Sequence, residues 1–467
     1  MRLPCGSVRR VQELEGRVPA VRRKPDHQRT RQAFRTQLDS LFPDGGAAFR
    51  RRFSFSSPAR FLDTMRVLHT SDWHLGKDIG SLDRTETFGK FLRWLLETIR
   101  TEHVDTLIVS GDVFDTTTPS HRAQSLYYSF LAQLSESGCR NAVITAGNHD
   151  SPSLINAPSD LLSHMGIHAV GTVGENELIA VRDADEALQA VVLAVPYLRE
   201  RDVFRAGDYR SEEVRNKALA LAIAGHYERL VEQALTLMKN ERVPIIATGH
   251  LFVSGGVLDD SVRKLYIGYL GNIPADIFPR QIDYLALGHL HRPQLVGGDP
   301  ARAYSGSPLP LDFSEAETEK SVRIVDFEPG KPPAVRPVPV PAFERLETVS
   351  GTGAQILARI AELAAAGEPV IVRVIHRGES PEPGLAEQVR SIVEGSPVLI
   401  AETRDESLVR AYLEGKDVHS LSVGELTPEQ VLSRRLDSEG IQGDERAELE
   451  KRFEIALQAL QNKDPLQ

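Results

Sequence analysis

The feature that most constrains this 467-residue chain is the segment 107–115, which reads Leu-Ile-Val-Ser-Gly-Asp-Val-Phe-Asp. Three apolar residues of high strand propensity precede a Ser-Gly pair, a pattern that predicts a buried strand ending in a tight turn. The turn places Asp112 at the end of the strand. A carboxylate held at that point can bridge two cations, so the segment predicts a metal site as well as a strand.

Four other short apolar runs end in the same way, each followed by His, Asp or Asn. The motifs that follow them are Ser71-Asp72-Trp73-His74, Gly147-Asn148-His149-Asp150, Gly249-His250 and Gly288-His289-Leu290-His291. Strand ends in a packed α/β domain gather along one edge of the sheet, where polar loops can bind ligands. We therefore expect the five motifs to converge on one site.

The side chains of these motifs form a mixed set of oxygen and imidazole donors. Such a set suits manganese, iron or zinc, and it argues against a thiolate zinc site or an all-oxygen calcium cage. Glycines at positions 111, 147, 249 and 288 suit tight turns and close approach of backbones. Each motif alone has an ordinary alternative, such as a polar turn or a helix cap, but the five together favour a metal site.

Charge is distributed unevenly along the chain. Residues 1–64 contain 14 Lys or Arg against 6 Asp or Glu, whereas the whole chain has a net charge of −10. The remainder is therefore acidic, and a nucleic acid would have to be held by local patches, by metals or by a partner. Candidate local cations, each of which could equally be a solvated surface charge, are Lys77, Arg84, Arg122, Arg263, Lys264 and Arg292.

Residues 1–64 show no sustained periodicity, and we expect a disordered, Arg-rich leader. A transit peptide is one alternative; a mis-assigned start is another, which we favour because a strand begins directly at Met65. The cysteines, Cys5 and Cys139, do not suggest a disulfide framework, and no apolar run is long enough for a transmembrane helix. We expect a cytoplasmic protein with no membrane attachment.

From Met65 to about residue 340, strand-like runs alternate with helical patterns. Helices are predicted over 85–101, 120–137, 152–165 and 211–240, and the strands include 191–195 and 322–327. The pattern predicts an α/β fold with a two-sheet core flanked by helices, and we assign it to residues 65–340. The proline-rich passage 329–341 is expected to be a linker or an edge segment.

Two further units are predicted after this passage. Residues 341–424 should form a small α/β domain, with helices at 353–366 and 385–394 and strands at 370–375 and 398–403. Residues 425–467 should form C-terminal helices, because Thr427, Pro428 and Gln430 have the spacing of a capping box with proline at the first helical position. A second helix over 444–461 carries a narrow apolar face that must be covered.

Together the five motifs resemble the calcineurin-like metallophosphoesterase family, whose pattern is Asp-x-His, Gly-Asp-x-x-Asp, Gly-Asn-His-(Asp/Glu), Gly-His and Gly-His-x-His. Every block is intact in this chain. The segments 69–76, 111–116, 246–251 and 286–291 are similar in particular to nuclease subunits of bacterial complexes that contain a coiled-coil ATPase. Segments 262–268 and 304–308 support the likeness, which covers residues 65 to about 460.

The resemblance implies a metallophosphoesterase core with a capping domain, C-terminal helices and two metal ions, Mn²⁺ or other divalent transition metals. It implies a first metal bound by Asp72, His74, Asp112 and His291, and a second bound by Asp112, Asn148, His250 and His289. In this reading His149 assists the leaving oxygen and Asp150 orients His149. Asp115 positions His149 or the substrate.

The implied function is that of a metal-dependent DNA phosphodiesterase in DNA replication, recombination and repair. It would be a 3'-5' exonuclease on duplex DNA and an endonuclease on single-stranded or hairpin DNA. The chain lacks a Gly-x4-Gly-Lys-(Ser/Thr) loop, so ATP hydrolysis would come from the coiled-coil ATPase, onto which the C-terminal helices would dock. The complex would be a heterotetramer containing two nuclease subunits.

Two alternatives stay open at this point. One is a phosphoesterase that acts on small phosphoesters or phosphoproteins. The other is a metal-free scaffold of the same fold, against which the intact ligand set argues.

Overall fold

The computed structural model describes residues 64–174, 176–203, 212–239, 241–253 and 273–407, with isolated positions between 432 and 453. The predicted leader up to residue 63, the capping box at 426–431 and most of the last helix lie outside this part of the chain. Among the residues that are described, none of the helices is long and apolar enough to cross a membrane.

Strands and helices alternate up to Val170, and the later strands follow one another with fewer helices between them. The strands are β1 (Met65–Thr70), β2 (Thr106–Ser110), β3 (Asn141–Thr145), β4 (Ile167–Val170), β5 (Leu178–Arg182), β6 (Leu188–Leu193), β7 (Ile245–His250), β8 (Tyr284–Gly288), β9 (Gln294–Val296), β10 (Asp299–Tyr304), β11 (Ser321–Phe327), β12 (Ala334–Pro339), β13 (Leu346–Gly351), β14 (Val370–His376) and β15 (Val398–Asp405). The helices are α1 (Thr85–Thr101), α2 (His121–Leu134), α3 (Pro152–Asn156), α4 (Ser159–Ser163), α5 (Glu200–Val203), α6 (Glu212–Met238), α7 (Gly353–Ala366) and α8 (Leu385–Val393), with short 3-10 turns at Ala275–Ile277 and Phe313–Glu315.

Two six-stranded sheets form the larger part of the fold. The first has the order β12-β11-β1-β2-β3-β4 and the second the order β5-β6-β7-β8-β10-β9. Strands β1 to β4 are parallel, as are β6, β7, β8 and β10, whereas β11, β12, β5 and β9 pair antiparallel with their neighbours. Parallel neighbours therefore end on the same side, which brings the carboxyl ends of β1, β2 and β3 together in one sheet and those of β7 and β8 in the other.

The core lies between the two sheets and on their outer faces. Val67 and Ile108 of the first sheet pack with Val192 and Ile246 of the second in a fully buried layer. Helices α1 and α2 cover the outer face of the first sheet, and α6 covers the second. The predicted two-sheet core flanked by helices is confirmed.

One sequence expectation changes in the structure, and another is narrowed to one of its two alternatives. The helix predicted over 152–165 is two short helices, α3 and α4, because Pro158 between them cannot continue the backbone hydrogen bonding of a helix. The proline-rich passage is an edge segment: β12, which contains Pro337 and Pro339, pairs with β11 on one side only. An edge strand tolerates proline because half of its backbone groups have no strand partner.

The small α/β unit has its own three parallel strands, in the order β13-β14-β15, and its own apolar core with α7 and α8. It also contacts the loop that follows β1. Ile79 of that loop packs with Ile371 and Ala401, and Arg84 pairs with Glu344 in a buried contact. The domain boundaries at 340 and 424 stay predictions.

Candidate metal centre

Loops from the two sheets interlock where the five strands end. Asp72 donates its backbone N–H to the Gly111 carbonyl at 3.0 Å, and His74 donates in the same way to the Asp112 carbonyl at 3.0 Å. The Asp72 carboxylate accepts the backbone N–H of His289 at 2.9 Å, which joins the end of β1 to the end of β8. The structure therefore brings the predicted motifs into one site.

The backbone at this site is strained. Asp72, His74, Asp112 and His289 have φ of 52°, 47°, 49° and 97°, in the left-handed region that non-glycine residues seldom adopt. Such conformations cost on the order of 1–3 kcal/mol each, and they cluster at functional sites where the surrounding structure holds them. The strain aims four of the predicted ligands at a common centre.

Glycine is required at two positions for a direct steric reason. A Cβ at Gly111 would lie 2.2 Å from His250 Nδ1, and a Cβ at Gly147 would lie 2.1 Å from Asp112 Oδ1. Either contact would displace a predicted ligand. The glycines that precede the ligands are therefore sites of close backbone approach, as expected.

Asp112 is the central carboxylate of the site. Its Oδ2 lies 3.4 Å from His74 Nε2 and 3.2 Å from His250 Nε2, and its Oδ1 accepts the backbone N–H of His149 at 2.9 Å. Burial acts to raise the pKa of Asp112, but His250, His149 and His74 hold that pKa well below its usual range. An ionised carboxylate between two imidazoles is what a bridging ligand requires.

One group of ligand atoms lies on the β1 side of Asp112. Donor atoms of Asp72, His74 and His291 lie within 4.8 Å of one another, and all three residues are buried. The His74 Nε2 atom is buried without a hydrogen-bond partner among the described residues. A cation would satisfy that atom, so the geometry fits the first predicted metal.

A second group lies on the β7 side. Asn148 Oδ1 is 3.0 Å from His250 Nε2 and 3.1 Å from His289 Nδ1, and donor atoms of Asp72, Asp112 and His250 also lie within 4.8 Å of one another. The buried His250 donates its Nδ1–H to the Ser110 carbonyl at 3.0 Å, which directs Nε2 at the acceptors. The donors again fit a divalent transition metal.

The histidines of the second group have opposite electrostatic environments. Burial acts to lower the pKa of His250, yet the Asp112 carboxylate beside it raises that pKa to about 9. For His289, burial together with the neighbouring His250 lowers the pKa to about 3. A metal at this position would therefore replace a proton shared between His250 and the carboxylate.

Side chains outside the predicted ligand set hold the ligands in place. Asp115 Oδ1 lies 3.1 Å from His74 Nδ1, and Glu315 Oε1 lies 3.0 Å from His291 Nδ1. A carboxylate on the far nitrogen fixes the tautomer of a metal-binding histidine and raises its basicity. The sequence analysis missed Glu315, since no motif surrounds it and only the fold brings it to His291.

His149 lies beside the candidate ligands and is only partly buried. Its Nδ1 lies 2.8 Å from the Asp115 carbonyl oxygen, which leaves Nε2 as the nitrogen available to a substrate. The predicted link between Asp115 and His149 thus exists through the main chain. Donor atoms of His149, His74 and Asp112 also lie within 4.8 Å of one another, so His149 is itself close enough to be a further candidate ligand.

Asp150, expected from the sequence to orient His149, makes its hydrogen bonds to backbone groups in this structure, and its role towards His149 stays a prediction. The buried Asp150 carboxylate accepts three backbone N–H groups, from Val113 at 3.0 Å, Phe114 at 2.8 Å and Gly147 at 2.8 Å. These contacts tie the loop after β2 to the loop after β3. Burial and the nearby Asp112 raise the pKa of Asp150 to about 6 against the effect of those donors.

The candidate cations near the motifs differ in position. Arg84 is 2% exposed and contacts Glu344 of the small domain, so it points inward and is not a surface contact for nucleic acid. Lys77 lies 3.3 Å from Asp115 Oδ1 and Arg122 lies 3.0 Å from Asp83, both partly or largely exposed. Arg292 is exposed, while Arg263 and Lys264 lie outside the described residues.

Comparison with known families agrees with the geometry. Residues 65–293 match the family described as Calcineurin-like phosphoesterase, and residues 342–440 match the family described as Type 5 capsule protein repressor C-terminal domain. A zebrafish (Danio rerio) dimetal phosphatase structure is 13% identical, with a TM-score of 0.31 over 58% of this chain and 98% of that chain. That structural likeness is too weak to add to the assignment.

Individual proteins give a closer match. The SbcD subunit of nuclease SbcCD from Escherichia coli (strain K12) is 35% identical over 401 residues, which is 85% of this chain and 98% of that protein. The corresponding subunit from Rhodobacter capsulatus is 36% identical and covers 65% of this chain and 77% of its own length. The Bacillus subtilis subunit is 38% identical, and the match covers 57% of this chain and 67% of that protein.

Proposed function

This chain belongs to the family of SbcD subunits of nuclease SbcCD, and we propose that it is a two-metal DNA phosphodiesterase. Its proposed activities are 3'-5' exonuclease action on duplex DNA and endonuclease action on single-stranded and hairpin DNA. The observation that carries the proposal is the convergence of seven candidate oxygen and nitrogen ligands from five strand-end loops, with the buried Asp112 carboxylate among them.

We propose that Asp72, His74, Asp112 and His291 hold the first metal, and that Asp112, Asn148, His250 and His289 hold the second. Two bound cations would lower the pKa of a water molecule and offset the charge that develops at phosphorus. Asp112, kept ionised by its histidine neighbours, can serve both metals. The resident ions are proposed to be Mn²⁺, because hard carboxylate and amide oxygens are combined in this site with imidazoles.

His149 is proposed to donate a proton to the leaving oxygen. Its Nδ1 is engaged by the Asp115 carbonyl, so the ring is fixed with Nε2 free to reach a substrate. Asp115 therefore has two tasks in the proposal, holding His149 through its carbonyl and His74 through its carboxylate. Asp150 keeps the β2 and β3 loops in register and takes no direct part in the proton transfer.

A coiled-coil ATPase of the SbcC type is the proposed partner, on the basis of the names of the relatives. The small domain is proposed to meet DNA as a capping domain, and the C-terminal helices to dock on the ATPase. Two nuclease subunits would act in one heterotetramer in the cytoplasm, on DNA ends and hairpins. The acidic main body favours a role for such a partner, and for the metals, in holding DNA.

A phosphoesterase acting on small molecules or phosphoproteins is the weaker proposal. Its fold would be the same, but the relatives that span nearly the whole chain are nuclease subunits. No contact in the described part of the chain favours a small substrate over DNA.

The test compares two variants by metal analysis and by cleavage of end-labelled duplex and hairpin DNA with Mn²⁺, with and without the ATPase. Asp112→Ala should lose metal and cleavage together, because both metals share this carboxylate. His149→Ala should keep two metals while cleavage falls about a hundredfold or more, the scale for removing a general acid.

Each result has a clear opposite. Two metals per chain in the Asp112→Ala variant would refute the bridging assignment. A loss of metal in the His149→Ala variant would make His149 a ligand and refute its role as an acid. Hydrolysis of a nucleotide monoester that exceeds DNA cleavage by the intact protein would refute the nuclease proposal.

A further inference from the structure

A short turn links the small α/β domain to the proposed first metal. It consists of Asp312 and the 3-10 turn Phe313–Glu315, and we call it the 312–315 turn. Its last residue contacts His291, and its first two contact Arg373 on β14 of the small domain. Four residues therefore span the distance between a proposed ligand and a separate domain.

Glu315 is built into the protein as a buried charge. It is 1% exposed, its Oε1 lies 3.0 Å from His291 Nδ1, and its Oε2 accepts Lys320 Nζ at 2.7 Å and the Leu311 backbone N–H at 3.1 Å. Lys320 in turn donates to the His291 carbonyl at 3.1 Å and to Ser307 Oγ at 2.8 Å. Both the ring and the backbone of His291 are held by this pair.

The chemical consequence concerns the tautomer of His291. When Nδ1–H donates to a carboxylate, Nε2 keeps its lone pair for a cation, and the ring cannot rotate without breaking the hydrogen bond. Removing such a partner commonly lowers metal affinity by about 10- to 100-fold. Glu315 therefore acts on the metal through His291 without being a ligand itself.

Arg373 fixes the other end of the turn. Its Nη2 donates to Asp312 Oδ2 at 3.0 Å, and its guanidinium carbon lies 4.3 Å from the centre of the Phe313 ring. Asp312 also caps the turn by accepting the Ser314 backbone N–H at 2.9 Å. Phe313 packs with Leu346 and Ile371 of the small domain, so the contact has an apolar part as well as a charged one.

We propose that Glu315 is a positioning residue for His291, and that Arg373 sets the affinity of the first metal position by holding the 312–315 turn. This inference rests on the proposed function, because it requires His291 to be a ligand. It makes the small domain a determinant of metal occupancy and not only a surface for DNA.

The experiment measures Mn²⁺ per chain and the two Mn²⁺ affinities by titration of metal-free, full-length protein. Glu315→Ala and Arg373→Ala should each weaken one of two positions, by tenfold or more for Glu315→Ala and by a smaller factor for Arg373→Ala. Glu315→Gln keeps an acceptor for His291 and should fall between Glu315→Ala and the unchanged protein.

Matched controls come from exposed pairs of the same chemistry. Arg377 of the small domain pairs with Glu406 at 3.0 Å, and Glu328 pairs with Lys331 at 2.6 Å, all four side chains being 46–67% exposed. Arg377→Ala and Glu328→Ala should leave both affinities unchanged. A loss of affinity in either control equal to that of Arg373→Ala would overturn the specific role of the 312–315 turn.

The outcomes separate this inference from the function on which it rests. If the unchanged protein does not bind two Mn²⁺ ions, the proposed function fails. If it binds two, and Glu315→Gln and Arg373→Ala bind them with the same affinities, only the role of the 312–315 turn is overturned. Should Glu315→Ala fail to fold because Lys320 loses its carboxylate partner, Glu315→Gln and Arg373→Ala decide the matter.

Discussion

Replacement of Asp150 by alanine should destabilise the protein strongly, because three buried backbone N–H groups would lose their acceptor at once. A buried donor left without a partner costs about 1–3 kcal/mol. If water enters the space left by the carboxylate and reaches one of the three donors, two donors remain without a partner, so we expect a loss of about 2–6 kcal/mol. That is a large fraction of the roughly 5–15 kcal/mol by which proteins are stable.

Urea unfolding of metal-free protein, followed by far-UV circular dichroism, measures this effect as a lower midpoint at an unchanged slope. Asp150→Asn keeps one oxygen acceptor and should lose about half as much. Asp283→Ala is the control, since the Asp283 carboxylate accepts the backbone N–H of Ile245 at 2.8 Å in a more exposed setting, and should cost about 1 kcal/mol.

The same variant distinguishes two roles for Asp150. If the residue ties the β2 and β3 loops together, stability and cleavage should fall in parallel. If it orients His149 instead, cleavage should fall while the unfolding midpoint stays where it was. The assignment of Asp150 as the link between the two loops would be refuted if the Asp150→Ala variant had a urea midpoint equal to or higher than that of the Asp283→Ala variant.

Further predictions concern other parts of the molecule. Because the pKa of His250 is raised to about 9 in the metal-free site, Mn²⁺ binding at pH 7 should release a proton, and the affinity should increase as the pH rises towards 9. Calorimetry in buffers of different ionisation enthalpy measures the released proton. Binding heats that do not depend on the buffer would contradict the prediction. Glu344→Ala leaves the buried Arg84 without its carboxylate partner and should lower the free energy of unfolding by about 3–5 kcal/mol. An unchanged midpoint of urea unfolding would show that the contact does not stabilise the protein. Burial raises the pKa of the Cys139 thiol to about 12. In a variant that lacks Cys5, iodoacetamide at pH 8 should therefore label the protein only after it has unfolded. Labelling of the folded protein would contradict the burial of Cys139. Truncation after Gly424 should leave a folded protein that still cuts single-stranded DNA with Mn²⁺ but no longer co-purifies with the proposed SbcC-type ATPase, and retained co-purification would place the docking surface elsewhere.

The motifs that meet at the candidate site could be recognised from sequence because their signal is local. Each motif occupies two to five consecutive residues after an apolar run, as in the segment that delivers Asp112. Parallel strands that end on one side of a sheet then bring the motifs together by a general rule of α/β folds. The strand pairs β1 with β2 and β7 with β8 follow that rule.

The residues that support the ligands were not predictable in the same way. Glu315 lies 24 positions from His291 in sequence, in a turn without a motif, and only the fold brings its carboxylate to the imidazole. Asp150 sits inside a recognisable motif, yet its contacts are with backbone groups up to 37 positions away. Contacts of this kind depend on loop conformation, which residue types constrain only weakly.

The sequence by itself determined the alternation of strands and helices, the five strand-end motifs and the chemistry of their donors, since all of these depend on neighbouring residues and simple periodicities. Tertiary structure alone decided that Arg84 turns inward to Glu344, that Asp150 holds loops and that the 312–315 turn joins the small domain to His291. The physical reason is the distance along the chain over which each interaction acts. Hydrophobic periodicity and turn formation act within a few residues, whereas a buried charge takes whichever partner the completed fold places within hydrogen-bonding distance.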